Sequence, residues 1–100
     1  MAQFVYYEIT GFLPSTFIAH ELGNITKYAS KETAIKVLED VLSKWKNRDT
    51  FSSSAEFLSE QICNERYSNY RHQFVFKGKR TGMVIVQTFS VVEHKINYHE

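Results

Sequence analysis

Arg66, Tyr67, Tyr70, Arg71, His72, Lys77, Lys79 and Arg80 form the densest group of side chains with binding chemistry in this sequence. Residues 66–92 carry five Lys or Arg and no acid, whereas residues 1–65 carry nine acids against six Lys or Arg. Basic groups neutralise phosphates, and aromatic faces stack on unpaired bases. Tyr and Arg are also the side chains most enriched at protein–protein hot spots. The spacing lacks the aromatic pair of an RNA-recognition sheet. Between partners, a protein is therefore favoured over nucleic acid. The plainer alternative packs Tyr67 and Tyr70 under a loop while the basic groups keep a hydrophobic hairpin soluble.

Other chemistries find little support. His20, His72, His94 and His99 are scattered, without the paired spacing of metal ligands. Cys63 is the single cysteine, so no intrachain disulfide forms. It falls inside a predicted helix, far from the helix start that would lower a thiol pKa, and reads as a packing residue. The segment 78–82, Gly-Lys-Arg-Thr-Gly, lacks the strand-to-helix context of a phosphate loop and is a basic hairpin tip. Most acids lie on solvated helix faces, and Glu8 on a strand has no evident carboxylate partner for acid–base work. No catalytic residue, metal site or cofactor is expected, and a small enzyme ranks last among the functions.

These residues need elements to position them. Residues 3–10 alternate as a first strand, with Val5, Tyr7 and Ile9 on one face and Phe4, Tyr6 and Glu8 on the other. Gly11 and Pro14 break it. Residues 16–22 read as a second strand, paired through a loop at 12–15. A short helix is the alternative, with Pro14 near its start and Gly23 past its end. Residues 25–29 extend the sheet after a Gly23-Asn24 turn.

The spacing of Ala34, Ile35, Leu38, Val41, Leu42 and Trp45 predicts a helix over 30–47, with Ser30 as N-cap and Glu32 in the first turn. Glu32/Lys36 and Asp40/Lys44 are favourable i,i+4 pairs. After a serine joint at 52–54, Ser53 and Glu56 resemble a capping box, and Ala55, Leu58 and Ile62 predict a second helix. Residues 66–71 read as irregular. Strands at 73–77 and 82–92 then form a hairpin, and residues 95–100 a polar tail. Counting back from the turn sets Val75 near Ile85, Gln73 near Gln87 and Arg71 near Phe89. Residues 83–86, bulky on both faces, belong in mid-sheet or at an edge covered by a partner. The 87–92 half reads as the margin of a binding surface.

One hundred residues with an ordinary apolar fraction make one α+β domain over 1–100. The order β-β-α-α-β-β implies a mainly antiparallel sheet of about four strands, with two helices on one face. A net charge of +1 supplies no global pull toward nucleic acid or membrane. The first residues lack a signal-peptide pattern, and no apolar run reaches transmembrane length. A cytoplasmic protein that binds another protein is the expectation. Small free-standing domains of this kind are commonly adaptors or inhibitors, including those carried by phages and mobile elements. A nucleic-acid-binding accessory using 66–80 is the alternative. A homodimer has about even odds, because an open sheet has edges to cover.

Overall fold

A computed structural model describes residues 2–11, 16–48, 53–64 and 69–99. Its elements run β1 (Ala2–Thr10), α1 (Thr16–Glu21), β2 (Lys27–Tyr28), α2 (Lys31–Lys46), β3 (Ala55–Cys63), β4 (Tyr70–Gly78) and β5 (Val84–Tyr98). The strands form one antiparallel sheet of five in the order β2-β1-β5-β4-β3. Both helices pack on one face, the α+β class expected from the sequence. The sheet has five strands rather than about four, and the order is β-α-β-α-β-β-β rather than β-β-α-α-β-β.

The α2 helix follows its sequence signals closely. Ser30 is extended, and its side chain accepts from the Thr33 N–H, closing the first turn. Ala34, Leu38, Val41, Leu42 and Trp45 are buried along one stripe. Trp45 meets Phe74, Phe76 and Phe89 edge-on, at centroid distances of 5.3, 5.6 and 5.2 Å. Such edge contacts suit the ring quadrupoles. Asp40 and Lys44 lie 3.8 Å apart, as their spacing predicts.

Two elements differ from the sequence reading. Residues 16–21 are helix rather than strand: Ile18 and Leu22 turn into the core together. The left-handed backbone at Gly23 (φ 62) and Asn24 (φ 63) ends the helix, and the Gly23 N–H donates to the His20 carbonyl at 2.9 Å. Residues 55–63 are strand rather than helix. Leu58 and Ile62 are exposed on this edge strand, so burial imposed no period on the sequence there. The ladder to β4, with a bulge between Phe57 and Ser59, outweighs the helical pattern. The predicted loop at 12–15, with Pro14, lies outside the described residues, as do Ser52 and residues 66–68 of the stretch read as irregular. The last two residues of that stretch, Tyr70 and Arg71, instead open β4.

The hairpin register is shifted by one residue from the sequence count. The Gly78 N–H donates to the Met83 carbonyl at 2.9 Å, and the Gly82 N–H to the Gly78 carbonyl at 2.9 Å. Gly82, at φ 71, thus sits inside the turn rather than opposite Gly78. Val75 pairs with Val86, Gln73 with Thr88 and Arg71 with Ser90. A slip of one residue exchanges the faces. Phe89 and Val91 therefore enter the core beside His72 and Tyr70.

Residues 95–98 are not a tail. They continue β5, and the ladder to β1 runs from Thr10↔Ser90 to Ala2↔Tyr98. β5 is 15 residues long, or about 50 Å. α2 has 16 residues but spans only about 24 Å. The molecule accordingly measures 57 × 27 × 19 Å, and both ends of β5 project beyond the helical cover. Replacing Trp45→Ala should lower unfolding stability by about 3–5 kcal/mol. Urea unfolding followed by far-UV circular dichroism checks it.

Candidate functional site

The fold divides the basic and aromatic stretch among different surfaces. Tyr70 and His72 alternate onto the helix-covered face of β4 and are only 1% and 4% exposed. Arg71 and Lys77 project from the opposite face, and Lys79 and Arg80 stand exposed at the β4–β5 turn. Arg66 and Tyr67 lie outside the described residues. The alternation of an extended strand separates side chains that are neighbours in sequence.

The buried pair belongs to a polar chain linking β3, β4 and α2. Tyr70 Oη lies 3.2 Å from His72 Nδ1 and 3.5 Å from Glu39 Oε1. His72 Nε2 meets Glu60 Oε1, and Lys46 Nζ lies 3.0 Å from Glu60 Oε2. With a proton on Nε2 the imidazole donates to Glu60, and the Tyr70 hydroxyl shares its one proton between His72 Nδ1 and Glu39 Oε1. His72 also stacks on Phe74 at 4.6 Å. Both ring nitrogens are thus occupied, and the chain acts as an internal strut. Burial, then the charge of Glu39 and a hydrogen bond to it, push the Tyr70 phenol up to about 12. Burial works to raise the Glu60 carboxyl, but His72 and Lys46 together hold it below its ordinary value.

Around this strut the basic groups are engaged. Lys46 Nζ sits 4.1 Å above the Phe57 ring, and the Arg48 guanidinium 4.2 Å above Phe17. They border a cleft of about 350 Å³ that also reaches Lys79 and Glu56. Cys63 lies on the edge strand, where its sulfur is 3.9 Å from Arg71 Nη2.

Among the described residues, the other face of the sheet carries no helix. Phe4, Tyr6 and Glu8 of β1 lie there, opposite Ile96, His94 and Val92 of β5. Tyr6 stacks on His94 at 4.9 Å and, more loosely, on Phe4 at 6.0 Å. Glu8, without a partner in the sequence reading, lies 3.3 Å from Lys27 Nζ and 3.1 Å from His94 Nε2. The His94 contact is close enough for an ion pair but not aligned as a hydrogen bond. Phe4, Tyr6, Lys27, Tyr28, Ala29 and Ile96 line a shallow groove of about 360 Å³. The sequence marked Phe4 and Tyr6 as one face, but Ile96 and His94 join them only through long-range pairing.

No known family, characterised protein or solved structure matches this chain. No helix among the described residues is long and apolar enough to cross a membrane.

The raised Tyr70 phenol gives a testable pH dependence. Its folded value stands above the ordinary 10.0, so the stability it contributes is whole below that pH. It is lost as pH rises through the folded value. Tyr70→Phe should flatten the fall in unfolding stability between about pH 10 and 12. Urea unfolding across that range, alongside phenolate absorbance, provides the measurement.

Proposed function

We propose that this chain is a non-catalytic protein that binds another protein, in the manner of an adaptor or inhibitor. The observation that carries the reading is the apolar, aromatic groove on the uncovered end of the sheet. Phe4 and Ile96 in its lining are about half exposed, as is Tyr98 beyond them. Among the described residues Lys27 is the lone cation of the lining, and Glu8 compensates it at 3.3 Å. Depletion of charge with enrichment in aromatics is the composition of a protein-interface core. β1 pairs with β2 only at Tyr7 and Glu8. An extended apolar segment of a partner could therefore add main-chain hydrogen bonds along residues 2–6.

Nucleic acid fits this arrangement less well. A polyanion needs cations beside the stacking rings. Here the exposed rings of Phe4 and Tyr98 and the basic groups Lys77, Lys79 and Arg80 lie at opposite ends of β5. The ends are separated by roughly 40 Å. Among the described residues, the aromatic members of the basic stretch, Tyr70 and His72, are held inside.

Cross-linking mass spectrometry in cell extract provides the test. A specific protein should cross-link near residues 2–6 and 96–98, and Phe4→Ala with Ile96→Ala should remove it. Lys79→Glu with Arg80→Glu should leave its yield unchanged. The reading is overturned by salt-sensitive retention of DNA or RNA oligonucleotides that the charge reversal abolishes.

A further inference from the structure

One stretch of β5 presents unpaired backbone and unprotected apolar side chains together. β1 ends opposite Ser90. Gly11, whose carbonyl accepts from Gln87 Nε2 at 3.0 Å, packs against Thr88. Among the described residues, 84–86 therefore pair on one side only, with β4. Successive residues of an antiparallel strand aim their N–H and C=O groups to alternate sides. The Met83 carbonyl accepts from Gly78, which turns the odd-numbered residues of β5 toward β4. Val84 and Val86 then aim their N–H and C=O groups at the open side. Met83, Val84, Ile85 and Val86 are 64%, 61%, 47% and 53% exposed.

Two other edges of the sheet carry the devices that keep strands from pairing, whereas the 2–6 edge of β1 is the one assigned above to a protein partner. β3 has a bulge between Phe57 and Ser59, and bears Glu56 and Glu60. The unpaired 93–97 side of β5 holds Glu93 and Lys95, and Asn69 Oδ1 accepts from the Glu93 N–H at 3.4 Å. Charges and bulges are the usual protections. Residues 84–86 have neither.

The geometry points to a second copy of this chain as the occupant, with β5 pairing antiparallel to itself across a two-fold axis at Ile85. The run Val84-Ile85-Val86 reads the same in both directions. Symmetry therefore sets Val84 opposite Val86 of the partner subunit, and each such pair exchanges both of its backbone hydrogen bonds. All the outward groups of Val84 and Val86 are satisfied. Ile85 faces its own counterpart in a non-hydrogen-bonded pair, where Cα atoms approach to about 4.5 Å. Isologous closure also prevents open-ended growth.

Charge permits this pairing. An antiparallel arrangement sends the two basic turns to opposite ends, leaving Arg80 and its counterpart roughly 30 Å apart. That is several Debye lengths at physiological salt. The paired edge is short and buries less than the ~800 Å² per partner of a standard interface. The dimer is accordingly concentration-dependent. It stands apart from the aromatic groove, at the other end of β5.

Sedimentation velocity from about 5 to about 500 µM should show the mean sedimentation coefficient rising toward that of a dimer. Val86→Pro removes one outward N–H without touching the β4 ladder. It should hold the chain monomeric across that range with an unchanged circular dichroism spectrum. In a Cys63→Ser background, Ile85→Cys should oxidise to a covalent dimer, because its counterpart lies within disulfide range. Val84→Cys, facing Val86 of the partner subunit, should link at least about tenfold more slowly. A wild type that stays monomeric at the upper concentration overturns the proposal. So does a dimer that survives Val86→Pro, or an Ile85→Cys chain that stays monomeric under oxidant.

Discussion

The fold depends on one strand serving two ladders. β5 pairs with β4 along its first half and with β1 along its second, and the two ladders overlap only at Ser90 and Val91. Backbone alternation makes the division consistent: odd residues bond toward β4 and even residues toward β1. The overlap is also where the core is densest, since Phe89 and Val91 are buried there under α2. A sheet built on this stagger is long. Its radius of gyration of 15.7 Å exceeds the ~13 Å usual for 100 residues.

Length explains why so much apolar surface remains outside. One four-turn helix and a short second one cover the middle of the sheet and leave both ends bare. At the first end, residues 83–86 are exposed on both faces. At the second, Phe4, Ile96 and Tyr98 form the aromatic and apolar margin. The two ends differ in character. One offers unpaired backbone between aliphatic side chains, the other a groove bordered by rings. The covered middle of the sheet lies between them.

The polar chain through Tyr70, His72 and Glu60 has a different part. It runs between β4, β3 and α2 on the covered side, where an unpaired imidazole would be costly. Glu39 and Lys46, at either end of the chain, reach it from the helix. This ties the edge strand β3, whose side chains bury little, to the body of the protein.

By itself the sequence determined α2, whose cap and apolar stripe are local signals, and the alternating faces of β1. It also determined the α+β class, because the spacing of turns and apolar runs suffices for that. The tertiary structure decided the rest. Residues 55–63 satisfy a helical spacing, and only the ladder to β4 makes them a strand. Residues 95–98 look polar and terminal until β1, nearly a whole chain length away, pairs with them. The hairpin register turned on whether Gly82 lay inside the turn, and one residue there decides which side chains enter the core. The basic and aromatic stretch read as one surface because its members are adjacent in sequence. In a strand, adjacent side chains point to opposite faces, so Tyr70 and His72 went inside while Arg71 remained out.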